Sequence, residues 1–130
     1  MPVRTPKEKQ PRTGTPGLED AVAAVNDVRL VGRVAEEPVT RTLPSGDRLV
    51  SFRLVVDRAP GGRSRQSVDA LECVAWTARV QRSVLKWQTG DVVEVSGAIR
   101  RRFFRGVGGA ASRVEVEVVS AKVRRRARAA

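Results

Sequence analysis

The sequence predicts an all-β domain in which five strands close into a barrel and one helix lies between the third and fourth. Two observations carry this. Apolar residues recur at every second position in five separate runs, the period of a strand with one buried face, whereas in one run they recur three and four apart. The 130 residues are enough for one compact domain with some tail and give no case for a second core.

Residues 1–16 hold four of the seven prolines among Lys, Arg, Thr and Gly. That composition buries too little apolar surface to offset its ordering entropy, so residues 1–17 are expected to be a disordered basic arm. LEDAVAAV, residues 18–25, reads equally as a helical turn or two or as a lead-in to the first strand. The domain is expected to span residues 18–121. Over residues 26–34, NDVRLVGRV, Val28 and Leu30 alternate with Arg29, Val31 and Arg33, with Gly32 at a bend or bulge and Pro38 as the stop. Leu43-Pro44-Ser45-Gly46-Asp47 is a tight-turn sequence, so residues 48–57 should return as the antiparallel hairpin partner. There Val50, Phe52, Leu54 and Val56 share one face, and Ser51, Arg53 and Val55 the other.

RAPGGRSRQ, residues 58–66, is a loop with Arg58, Arg63 and Arg65 and almost nothing to pack. It is either a mobile cationic finger or an ordinary solvated hairpin tip. Residues 67–76, SVDALECVAW, alternate again. Cys73 reads as a small buried hydrophobe, and Trp76 as either a stacking platform or a core ring. In TARVQRSVLKWQ, residues 77–88, Val80, Val84 and Trp87 recur at helical spacing, with Thr77 as N-cap and Gly90 beyond the end, and Trp87 as a core plug. GDVVEVSGAIRRRFFR, residues 90–105, puts Val93, Val95, Gly97 and Ile99 on one side and Ser96, Ala98, Arg100, Arg102 and Phe104 on the other. Two guanidiniums followed by a ring can hold two phosphates and stack one base, as an unpaired polynucleotide requires; the bland alternative is a solvated edge strand. Residues 106–111 read as a flexible turn, residues 112–121 as a last strand, and KVRRRARAA, residues 122–130, as a basic tail.

Charge narrows the partners. With 25 Lys and Arg against 14 Asp and Glu the formal net charge is +11, so a polyanion is the first expectation. No long apolar run, basic amphipathic helix or secretory leader is visible, and one cysteine makes no internal disulfide; a cytoplasmic protein without a membrane role follows. The absence of His, the single Cys and unclustered carboxylates leave no metal cage, cofactor site or catalytic constellation, so no enzyme is expected.

Three strands, a helix and two more strands is the order of a five-stranded OB barrel. Asn26-Asp-Val28-Arg-Leu30-Val-Gly32-Arg, Leu43-Pro44-Ser45-Gly46, Phe52-Arg-Leu54, Glu72-Cys-Val74-Ala-Trp76 and Gly90-Asp-Val-Val93-Glu-Val95-Ser-Gly97-Ala-Ile99-Arg100 resemble the bacterial single-stranded DNA-binding protein family over roughly residues 26–119. The resemblance implies sequence-independent binding of single-stranded DNA, usually by a homo-oligomer, in replication, recombination and repair. It matches Phe104 and Trp76 to stacking aromatics and Arg41, Arg100 and Arg102 to basic positions near DNA. Two further aromatic positions fall near Pro60 and Ala70 here, and a basic one at Glu72, which implies fewer stacked bases and more reliance on charge. The family's acidic docking tip has no counterpart in the Arg-rich residues before Ala130, which implies a short accessory member without that means of recruiting repair proteins.

The expected interface is therefore Arg33, Arg41, Arg53, Arg58, Arg63, Arg65, Trp76, Arg100, Arg102 and Phe104. In it, Arg53, Arg100 and Arg102 pair with the backbone, the Arg58 loop encloses it, and Phe104 and Trp76 stack bases. An OB interaction module similar to a primosome accessory protein, binding nucleic acid weakly, is the alternative; a structured-RNA binder is a third reading, since charge and stacking do not tell ribose from deoxyribose.

Overall fold

The computed structural model describes residues 22–128, in the order β1 (Val28–Val34), β2 (Val39–Thr42), β3 (Arg48–Asp57), β4 (Val68–Ala75), α1 (Ala78–Val84), β5 (Val92–Gly106) and β6 (Gly109–Arg125). The basic arm expected over residues 1–17 lies outside them. Strands follow one another as β1-β5-β6-β4-β3-β2, and two further pairs between β1 and β3, Arg33 with Val55 and Val34 with Leu54, close the barrel. This is the expected OB barrel of β1, β3, β4, β5 and β6. All ladders are antiparallel except β4 with β6, which meet in parallel at Cys73–Val116 and Val74–Glu117.

The inner face is apolar because alternation puts it there. Val50, Phe52 and Leu54 of β3, Cys73 and Ala75 of β4, Val93 and Val95 of β5, and Val116 and Val118 of β6 meet inside the barrel. Helix α1 plugs it with Val80 and Val84, and Trp87 stands edge-on to Phe52 with ring centroids 5.3 Å apart. Thr77 caps the helix by accepting a bond from the Val80 N–H. The helix is shorter than the expected residues 77–88. Tight bonds from Lys86 N to the Ser83 carbonyl and from Trp87 N to the Val84 carbonyl bend the chain, and the bend turns Trp87 inward.

Two glycines permit closure. A Cβ on Gly32 would lie 2.4 Å from the Val55 carbonyl oxygen, where β1 changes partner from β5 to β3; one on Gly97 would lie 1.8 Å from the Glu117 carbonyl oxygen. Backbones touch at both points, so no side chain fits.

Strand β2 was not expected. Val39–Thr42 is exposed at all four positions and zips onto Arg48–Ser51 through the Leu43–Asp47 turn, so the tight hairpin joins β2 to β3 rather than β1 to β3. The flexible turn expected over residues 106–111 shrinks to Val107 and Gly108, because the β5–β6 ladder continues to Gly106–Gly109. At the other end β6 runs to Arg125, so residues 122–125 of the expected tail are paired with β5. Asp91 then pins the next residues: its carboxylate, 1% exposed, accepts from Gln88 N, Ala127 N and Arg126.

Candidate nucleic-acid interface

Beyond Ile99 and Val116 the β5–β6 pair continues as a two-stranded arm whose residues are mostly exposed, Glu115 apart, with Arg102 and Phe104 half-buried. Its outer side continues the outer side of the barrel, since cross-strand partners share a face: Arg53 opposes Glu72, Ala98 opposes Glu117, Arg100 opposes Glu115 and Arg102 opposes Arg113. Arg53, Arg100, Arg102 and Phe104 thus lie along one surface. The alternation of β4 carries Trp76, half-buried just past the strand, to the side of Glu72 and Val74.

Each of the three arginines is matched by a carboxylate. Arg53 Nε donates to Glu72 at 2.7 Å, Arg100 Nε to Glu117 at 2.8 Å, and Arg102 grips Glu115 through Nε at 2.6 Å and a terminal nitrogen at 3.2 Å. Glu115 is only 4% exposed, so that fork satisfies a buried charge. The stripe expected to be strongly cationic is close to neutral. Its guanidiniums are nevertheless held in place, and each keeps N–H donors beyond those its carboxylate occupies.

The remaining expected residues divide in the same way. Arg33 bonds Asp57 at 3.1 Å, and Arg41 bonds the Ser51 hydroxyl at 3.0 Å. Arg58 is a strut, not part of a mobile finger: it donates to both oxygens of Asp69, at 3.0 and 2.7 Å, clamping the base of its loop beside the Arg58 N to Ser67 carbonyl bond. Those hydrogen bonds hold the Asp69 carboxyl below its ordinary value against the opposing effect of burial. Arg63 and Arg65, at the loop's exposed tip, have no acidic partner among the described residues.

Phe104 is half-buried, with the Arg102 and Arg113 guanidinium carbons 5.9 and 5.5 Å from its ring centroid. Arg113 was not foreseen. Its place opposite Arg102 depends on the two-residue turn, which a longer flexible turn conceals. Phe103 was missed as well: 75% exposed, it lies on the arm's other side with Ile99 and Arg101, where the alternation alone reads as a core face.

A closed five-stranded barrel with a helix between β4 and β5, carrying basic and aromatic side chains on an outer face and a projecting arm, defines an OB-fold protein. The profile of the single-strand binding protein family matches residues 25–125, and the chain belongs to that family. It is 31% identical over 86 residues to single-stranded DNA-binding protein 3 of Listeria innocua, covering 65% of this chain and 54% of that protein. With single-stranded DNA-binding protein B of Bacillus subtilis it shares 31% identity over 85 residues, 65% of this chain and 75% of that one. The chain spans about half the length of the first curated relatives it matches. Among solved structures, a Plasmodium falciparum SSB in complex with single-stranded DNA shares the fold, with a TM-score of 0.61 at 20% identity over 79% of this chain and 96% of that one.

Proposed function

We propose that this chain binds single-stranded DNA without strong sequence preference, as a homo-oligomer serving replication, recombination or repair in the cytoplasm. The observation that carries this reading is Phe104, a half-buried ring outside the barrel core with two guanidiniums leaning over it. A base stacks on such a ring whatever its identity, and the neighbouring cations meet its phosphate. The names of the curated relatives support the same ligand. No helix among the described residues is long and apolar enough to cross a membrane.

Charge compensation divides the labour. Arg53, Arg100 and Arg102 orient the strand with donors their glutamates leave open, while net attraction comes from Arg63, Arg65 and Arg113. Fluorescence titration of oligo-dT at several salt concentrations tests this. Phe104→Ala should weaken binding by about 1–3 kcal/mol at every salt concentration. Unchanged affinity in that variant places the interface elsewhere.

The pairing of Arg53, Arg100 and Arg102 with glutamates, Arg53 with Glu36 as well as Glu72, also favours a second reading, an OB interaction module with weak nucleic-acid affinity. Equal affinity for single strands and duplex, with a stable protein complex on pull-down, selects it.

A further inference from the structure

We propose that the helical end of the barrel is a second surface for a phosphodiester backbone, independent of the β face. Arg79, Arg82 and Lys86 follow one another at three- and four-residue spacing on and just beyond α1, and all three are exposed. The chain beyond β6 comes to the same place. Ala127 N bonds Asp91 at 2.7 Å, and Arg126 bonds Asp91 at 3.0 Å and the Lys86 carbonyl at 3.5 Å, so residues 126–128 lie along the turn that follows α1. This adds the exposed Arg125 and Arg128 to the surface.

At this end the clustered charge is unanswered. Asp91 is buried and already holds three donors, and the two oxygens of Glu94 are taken by Arg29 and Arg124 at 2.8 and 2.6 Å. Arg79, Arg82, Lys86, Arg125 and Arg128 have no acidic partner among the described residues. On the β face Arg53, Arg100 and Arg102 are matched by glutamates, whereas here five cations lie together without one, and like charges repel, a strain that a polyanion relieves. Arg125 and Arg113 lie near opposite ends of β6, at most about 40 Å apart along the strand at a rise of ~3.3 Å per residue. A span of that order exceeds the Debye length at physiological salt, so the two surfaces attract separate stretches of backbone. Trp76, half-buried, precedes the N-cap Thr77 at the edge of this surface, but the segments that carry Arg82, Lys86, Arg125 and Arg128 hold no exposed ring, so this end contributes mainly ionic attraction, and its binding depends more steeply on salt. A single strand can thus continue from the arm around the barrel, or a second strand can be held beside the first.

The test is the number of oligo-dT molecules of about eight nucleotides that one chain takes up at low salt, followed by anisotropy of a labelled strand. Two phases are expected in the native protein, the weaker one steeper in salt. R79E/R82E/K86E removes the weaker phase and leaves the tight one within about twofold; Phe104→Ala weakens the tight phase and spares the other. R125E/R128E, on a different segment, must also diminish the weaker phase, which guards against an effect of the helix changes on folding. A strand of about forty nucleotides separates the two sources: loss of its affinity in the triple variant marks one continuous strand, and unchanged affinity beside a lost weaker phase marks a second strand. One oligonucleotide per chain in the native protein, or a weaker phase indifferent to both variants, overturns the proposal. Failure of the β-face reading shows separately, as a tight phase indifferent to Phe104→Ala.

Discussion

Arg102 and Arg113 face each other across the β5–β6 ladder and both lean over Phe104, yet only Arg102 is bound to a carboxylate, that of Glu115. Two arginines in mirror positions therefore have different work. Arg102 keeps a buried charge satisfied and fixes one side of the ring. Arg113 brings net charge to it.

Removing them should accordingly have different consequences. Arg113→Ala leaves stability within about 0.5 kcal/mol and lowers the salt slope of single-strand binding by about 0.7, the loss of one phosphate contact. Arg102→Ala leaves Glu115 buried and unpaired and destabilises by about 2–4 kcal/mol, while Arg102→Met with Glu115→Leu recovers most of that. Urea denaturation beside the titration separates the two; equal effects of both single changes in both measurements contradict the assignment.

Gly97→Ala should cost about 3 kcal/mol or more, because the added carbon meets a backbone oxygen that cannot withdraw without opening the β5–β6 ladder. Gly108→Ala, at a turn position with nothing within 4 Å, stays within about 0.5 kcal/mol. Thermal melts of the pair check the contrast, and similar midpoints contradict the close approach.

Acid should loosen the barrel through Glu94. Hydrogen bonds from Arg29 and Arg124 outweigh burial and bring its carboxyl from an ordinary 4.5 down to about 2. At Asp91, burial pushes upward, but the N–H groups of Ala127 and Gln88, with Arg126, prevail and leave it below its ordinary value. A depressed carboxylate contributes its full stability above pH 4.5 and loses it as pH falls toward 2. Denaturation midpoints should drop between those values, and Glu94→Gln should lower stability at pH 7 while flattening the drop. A profile as steep in that variant as in the native chain assigns the transition to other groups.

The two tryptophans should report differently on DNA. Trp87 is 3% exposed against Phe52, so Trp87→Phe keeps the fluorescence change on adding oligo-dT. Trp76 is accessible, and Trp76→Phe abolishes the change. The reverse pattern moves the bound strand away from the β4 end.

Burial on one side only is what makes a strand legible. Val50, Phe52 and Leu54 of β3, and Val93 and Val95 of β5, alternate because one face meets the core, and these runs predict the barrel. The helical spacing of Val80, Val84 and Trp87 likewise predicts the plug. In β2, Val39–Thr42 is exposed on both faces, so no periodicity marks it and only pairing with β3 makes it a strand. Arg100, Arg102 and Phe104 share a face by period alone.

The amino-acid order by itself determined the period of each element, and through it the fold class, the buried set, the positive charge and the family likeness, because all of these are local or additive properties. Tertiary structure alone decided what each arginine does. Whether a guanidinium meets Glu72, Glu115 or Glu117, an aromatic ring or only water depends on cross-strand register, and register depends on a two-residue turn, two shifts in the β5–β6 ladder and contact between distant backbones at Gly97.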